Sequence, residues 1–248
     1  MRWLGETQVE EGVGERAFEV DVGLRRVPGV LWLPAGAAGG SSPGPRPLVL
    51  LGHGATLHKR IDHILALARL LAREHGFAVA ATDAPGHGDR RSAGVDDEVQ
   101  LFGVFLAEWS RSGSTDDLIE EWKAVVAELR ALDEVGDGPL GYWGLSMGTI
   151  YGIPFAAHEP RVQAAVFGLM GLMGPTRARM QADAEAMACP VLFIVQWDDQ
   201  LVARDAALDL FDTLGSVDKR LHAHPGQHAA VPAEELAASV AFLARHLA

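Results

Sequence analysis

Gly144-Leu145-Ser146-Met147-Gly148 sets one serine between two glycines, directly after the strand-like run Leu140-Gly141-Tyr142-Trp143. Where a strand turns sharply into a helix, the residue at the turn is held at positive φ. Glycines two positions before and after it let neighbouring backbone approach without a Cβ in the way. Such a turn lifts a hydroxyl clear of the sheet, and the N–H groups that open the next helix face the point where negative charge would develop. Ile150 to Ala157 supplies that helix loosely, because Gly152 and Pro154 weaken it. Serine is a poor nucleophile alone; it needs a base, and the base needs a third group to orient it. Both partners are present further on. Gln196-Trp197-Asp198-Asp199-Gln200-Leu201-Val202 follows the apolar run Val191 to Val195, and Pro225-Gly226-Gln227-His228 follows the strand-like Lys219 to Ala223. A carboxylate at one strand tip would then meet an imidazole from the next loop. His228 is the expected base, and activity should fall as acid protonates it.

The elements that must carry these loops are legible as alternating patterns. Arg16 to Val22 alternates like a half-exposed strand, and Val30 to Leu33 reads as its antiparallel partner. Ala35 to Pro47, dense in Gly, Ala, Ser and Pro, predicts a surface loop. Leu48 to Leu51 is a fully apolar run ending in Gly52-His53-Gly54, as a buried central strand would be. Ile61 to Glu74 has helical spacing and a glycine stop at Gly76, after which Phe77 to Ala81 reads as the next strand. Asp96 to Asp133 is mostly helical in pattern. Val162 to Gly168 and Val191 to Val195 read as strands around the helix-like Arg177 to Met187, and helix, strand and helix follow from Ala203 to Leu247. Strands alternating with helices predict an α/β fold: a mostly parallel sheet with helices on both faces. No internal repeat or second domain is evident, so residues 1–248 read as a single domain.

Composition narrows the function classes. A chain of 248 residues, 48% hydrophobic and 22% charged, can bury a large core. A net charge of −12 argues against nucleic acid or an anionic membrane surface as partner. No apolar run is long enough to span a membrane. Met1 to Arg16 has no apolar h-region, so no secretory signal is expected and a cytoplasmic location is the default. Cys189, the only cysteine, precedes Pro190 and reads as a buried, inert thiol.

Gly52-His53-Gly54, Asp83-Ala84-Pro85-Gly86-His87-Gly88, Gly144-Leu145-Ser146-Met147-Gly148, Asp199-Gln200-Leu201-Val202 and Gly226-Gln227-His228 together, in this order, resemble the α/β-hydrolase superfamily over nearly the whole chain. The short chain without a large insertion is most similar to its dienelactone-hydrolase-like and small carboxylesterase branch. Dienelactone hydrolases proper use a cysteine nucleophile; Ser146 stands here, which points to ordinary ester hydrolysis. The resemblance implies an eight-stranded-type sheet with a small cap or none. It picks Asp199, followed by Val202, as the acid, while Asp198 or Asp199 could instead cap the helix near Ala203. It also implies an oxyanion hole built from the N–H of Met147 and that of Ala55, with Thr56 as a neighbour able to serve.

Other features are set aside or left open. His53, His58 and His63 recur every five residues, off any common helical face and without carboxylate or cysteine company, so no metal is expected. His53 and His87 read as loop braces, Asp83 as a turn stabiliser, and His222 and His224 as solvent-facing or structural. No G-x-G-x-x-G opens a helix after the first strand, and no cofactor is expected. Leu101, Phe102, Phe105, Leu106 and Trp109 form a stripe that either packs the core or makes a small helical flap, around residues 96–112, over Ser146. Leu169, Met170, Leu172 and Met173 offer a second wall. Candidate substrate contacts are Phe105, Trp109, Leu172 and Trp197. The expected partner is a small-molecule carboxylic ester of short to medium chain. A thioesterase, lactonase, carbon–carbon hydrolase or peptidase on the same residues, or a non-catalytic ligand binder, are the alternatives. Oligomeric state is not legible.

Overall fold

The computed structural model describes residues 1–36 and 45–248. Among the described residues, ten strands form one sheet: β1 (Arg2–Trp3), β2 (Gln8–Glu10), β3 (Val13–Val22), β4 (Arg25–Pro34), β5 (Leu48–Gly52), β6 (Ala78–Thr82), β7 (Leu140–Gly144), β8 (Val162–Gly168), β9 (Val191–Gln196) and β10 (Lys219–His224). Their order is β1-β3-β4-β6-β5-β7-β8-β9-β10, with β2 paired to β3. From β6 to β10 every neighbouring pair is parallel; β3, β4 and the two short strands join antiparallel. Setting aside β1 and β2, the eight longer strands form the mostly parallel sheet that the strand and helix pattern predicted, with the eight-stranded form that the resemblance implied.

The period-two pattern explains why helices cover both faces. In β5, Leu48 and Leu50 belong to one apolar core, and Val49 and Leu51 to the other. In β9, Val191, Phe193 and Val195 divide from Leu192 and Ile194 in the same way. Such strands are buried on both sides and read as continuous apolar runs. Helices α1 (Asp62–His75) and α7 (Glu234–Leu247) cover one face. The other face carries α3 (Ser114–Arg130), α4 (Met147–His158), α5 (Arg177–Glu185) and α6 (Arg204–Thr213), with α2 (Glu98–Ser110) at its edge. α1 buries Ile64, Leu67, Ala68, Leu71 and Ala72 at helical spacing. Each such leucine or isoleucine contributes about 1.5–3 kcal/mol. The helix stops at Gly76, at φ 71, whose N–H donates to Ala72 O.

The differences from the sequence reading have local causes. β3 and β4 are longer than the alternating segments, because a two-residue turn at Gly23-Leu24 keeps their ladder in register from Val22↔Arg25 to Val13↔Pro34. The helix α4 begins at Met147, not Ile150, and holds Pro154 inside. Tertiary packing overrides its poor propensity: every residue from Met147 to Ala156 is buried. Of the loop expected from Ala35 to Pro47, residues 37–44 lie outside the described residues. No described helix is long and apolar enough to cross a membrane.

Candidate active site

Ser146 occupies the turn between β7 and α4 at φ 57, ψ −118, a conformation that costs a non-glycine residue on the order of 1–3 kcal/mol. Its surroundings hold it there. Ser146 N donates to Gly168 O at 2.9 Å, and Thr149 Oγ1 lies 2.9 Å from Gly144 O and 2.7 Å from Gly168 O. The buried Tyr142 hydroxyl donates to Gly148 O at 2.6 Å. A Cβ on Gly148 would come within 2.6 Å of Gly52 O, so the second glycine of the pentapeptide is a requirement of close approach.

The three side chains singled out by the sequence meet. His228 Nε2 lies 2.9 Å from Ser146 Oγ, and His228 Nδ1 lies 2.7 Å from Asp199 Oδ2. An ionised carboxylate only accepts, so Nδ1 carries the ring proton and Nε2 presents its lone pair to the serine hydroxyl. The other Asp199 oxygen accepts from Leu201 N at 2.8 Å and Val202 N at 3.0 Å. Those bonds explain why the aspartate precedes Val202 by three residues: the loop folds back to satisfy it. Neither aspartate caps α6, whose N-cap is Ala203 without a side-chain bond. Asp198 is the exposed member of the pair, its Oδ1 3.8 Å from Arg204 and its Oδ2 3.4 Å from Gly226 N.

Two glutamines that the sequence reading passed over lace the loop after β9 to the loop after β10. Gln200 Oε1 accepts from His228 N at 3.0 Å, and Gln196 Nε2 donates to Gln227 O at 3.2 Å. A buried glutamine ending the apolar run Val191 to Val195 was the available signal for the second. Trp197 N to His224 O and Asp198 N to Gly226 O complete the lacing.

Among the described residues, the amide N–H groups of Ala55 and Met147 donate to no protein acceptor. Ala55 rides on the loop that leaves β5, next to Thr56 at φ 65. A cavity of about 10 Å³ beside the turn, bordered by Met147, Gly148, Tyr151, Leu118 and Trp122, has room for about one water.

Phe105, Trp109 and Leu172 are buried in one apolar cluster with Met147, against which Ala55 packs. Phe105 stacks on Trp109 with centroids 5.4 Å apart, and Trp109 Nε1 donates to Thr176 Oγ1 at 2.7 Å. Helix α2 touches the loop after β6 through Val104 at Gly86, and the loop after β8 through Trp109 at Gly174. In the sheet order, β5 and β7 lie between those two strands. Trp197 is not part of that cluster; it is exposed, with the Arg204 guanidinium 4.1 Å over its ring.

The remaining candidates fall into structural roles. His53 Nδ1 donates to Gly54 O at 2.8 Å and its Nε2 accepts from Ala84 N at 3.0 Å, so the ring is a neutral brace. Burial, reinforced by nearby His87, lowers its pKa to about 4. His222 and His224 both donate to buried Glu235, at 2.9 and 2.8 Å. Cys189 is half-buried, not buried as expected; desolvation still pushes its thiol up to about 12, which keeps it unreactive. No group of three or more metal-ligating side chains occurs among the described residues.

A family model for the alpha/beta hydrolase fold matches residues 47–242. Among solved structures, a cold-adapted esterase from an Arctic intertidal metagenomic library, in complex with PEG, is 39% identical. The match covers 100% of both chains, with a TM-score of 0.85. Est1E from Butyrivibrio proteoclasticus, with ferulic acid bound, is 18% identical over 93% of this chain and 99% of its own, TM-score 0.69. A dienelactone hydrolase from Anabaena variabilis is 20% identical over 96% and 100%, TM-score 0.69. The last two show the fold alone. No curated protein matches the chain. From residue 47 to residue 242, and by full-length likeness to a solved esterase, the chain belongs to the alpha/beta hydrolase fold family.

Proposed function

We propose that this protein is a serine carboxylesterase that cleaves short- to medium-chain carboxylic esters through an acyl-enzyme. Ser146 Oγ attacks the ester carbonyl while its proton passes to His228 Nε2. Asp199 keeps Nδ1 protonated and stabilises the imidazolium. The tetrahedral oxyanion takes hydrogen bonds from the N–H groups of Met147 and Ala55, each about 3 kcal/mol in the transition state. Collapse expels the alcohol, which takes the proton from Nε2, and a water deprotonated by the same nitrogen then releases the acid. Phe105, Trp109 and Leu172 wall the apolar side of the substrate, with α2 as a small flap, and Trp197 lies at the rim. We further read residues 1–248 as one domain working in the cytoplasm without metal or cofactor.

The observation that carries this reading is the unbroken chain from Ser146 Oγ to His228 at 2.9 Å and on to Asp199 at 2.7 Å. The esterase that is 39% identical over both full lengths supports esters as the substrate class. Ser146→Ala should cut hydrolysis of p-nitrophenyl acetate by on the order of 10⁶-fold, measured as kcat. A fluorophosphonate probe should label the wild type at Ser146 and leave the variant unlabelled. Turnover retained by the variant would remove Ser146 from its role.

A further inference from the structure

The loop Gly52 to Lys59 is fastened at both ends to the loop after β6. At its start, His53 accepts from Ala84 N at 3.0 Å. At its end, Lys59 N donates to Asp83 Oδ1 at 2.9 Å and the Lys59 ammonium is paired with Asp83 Oδ2. Lys59 is 3% exposed and Asp83 is 0% exposed, an unusual place for either charge. Asp83 also accepts from Asp89 N at 2.8 Å, and Gly88, at φ 51, lies so close that a Cβ there would fall 2.2 Å from the carboxylate. The β6 loop is itself fixed: Arg90 reaches the buried Glu121 of α3 at 2.7 and 3.0 Å. Burial opposes ionisation of Asp83, and the Lys59 ammonium with the surrounding N–H donors overcomes it, holding the carboxyl below its usual value.

Between the two fastenings lie Ala55 and the strained Thr56. A strained backbone persists only where its surroundings over-determine it. A buried ion pair is a poor source of net stability, since an apolar pair of equal volume holds a fold as well. It can do what an apolar pair cannot: fix the loop's end at one point through the Lys59 backbone and side chain together. We propose that Lys59 and Asp83 are a positioning pair that sets the Ala55 N–H for the oxyanion, acting through the loop without touching substrate. The inference rests on the serine-esterase reading above.

Kinetics of Lys59→Met test it. An N–H displaced by about 1 Å loses on the order of 10² in rate, so kcat for p-nitrophenyl acetate falls by about that factor while KM stays within roughly threefold. A trifluoromethyl ketone, whose Ser146 adduct places an oxyanion on the same N–H, loses affinity by the same factor. Lys59→Met combined with Asp83→Asn leaves no unpaired buried charge and removes one acceptor from the Lys59 N and Asp89 N pair; it folds, with a lowered melting point, and keeps the kcat loss. A double variant with undiminished kcat and ketone affinity overturns the proposal, and so does a loss confined to KM. If the single variant does not fold, the double variant carries the test. Fluorophosphonate labelling of the wild type separates the two levels: an unlabelled wild type sinks the Ser146 reading and this pair with it, whereas a labelled, active wild type beside unimpaired variants sinks the pair alone.

Discussion

Asp198 and Asp199 are neighbours in the chain, yet their side chains are 65% and 4% exposed. Both Asp199 oxygens are taken up, one by two loop N–H donors and the other by the His228 ring, whereas Asp198 faces water. Asp199→Asn keeps the shape but can hold the wrong imidazole tautomer, so kcat should fall by on the order of 10⁴. Asp198→Asn removes a charge that faces water and should change kcat by no more than about twofold. Steady-state kinetics of the two variants decide the assignment; a large loss at 198 with little at 199 would reverse it.

At the scale of elements, α2 joins two opposite tendencies. Leu101, Phe105 and Trp109 are buried, while Val99, Phe102 and Leu106 face outward. Its N-terminus is well specified by a capping box between Asp97 and Gln100. Gly103 sits mid-helix with nothing within 4 Å of a notional Cβ, so Gly103→Ala should stabilise the fold by about 0.5–1 kcal/mol, read as a raised urea midpoint at unchanged slope. The helices and long strands were legible because burial on one stripe or on both faces writes a period into the sequence. So were Ser146, Asp199 and His228, which sit where strands end. Lys59, Gln196, Gln200 and Tyr142 were not, because their roles depend on which loops become neighbours, and the order β6-β5-β7 is decided by crossovers that no local period records. The edge strands β1 and β2 escaped for another reason: at two and three residues they are too short to carry alternation.

Across the whole molecule, the burial of His53 and His87 and the partial burial of His63 disfavour the charged imidazole, and this shapes the response to acid. His53 has a folded pKa of about 4 against an ordinary 6.5, with burial as the main cause, so the unfolded chain takes up the proton first. That stabilisation is complete above about pH 6.5 and is lost as pH falls toward 4, a difference of roughly 3 kcal/mol. His63 and His87 are shifted the same way, also by burial. The lowered Asp83 adds to this at still lower pH, below its ordinary 3.8. Urea midpoints should therefore decline steadily from pH 7 to pH 4.5; a flat profile would contradict the buried neutral state of His53.

The Tyr142 side chain fills the space where Gly52, Gly144 and Gly152 would each carry a side chain: notional Cβ atoms at the first two would fall 2.2 and 2.6 Å from its hydroxyl, and at the third 2.2 Å from its ring. Three stretches of backbone, from two strands and a helix, thus share one aromatic wedge. An engineer who trades glycine for alanine to gain heat tolerance can work on the outer helix at position 103, but not around this wedge. There, a change at any one of the four positions demands compensation at the others, so improvement by single steps is closed and only concerted redesign remains open.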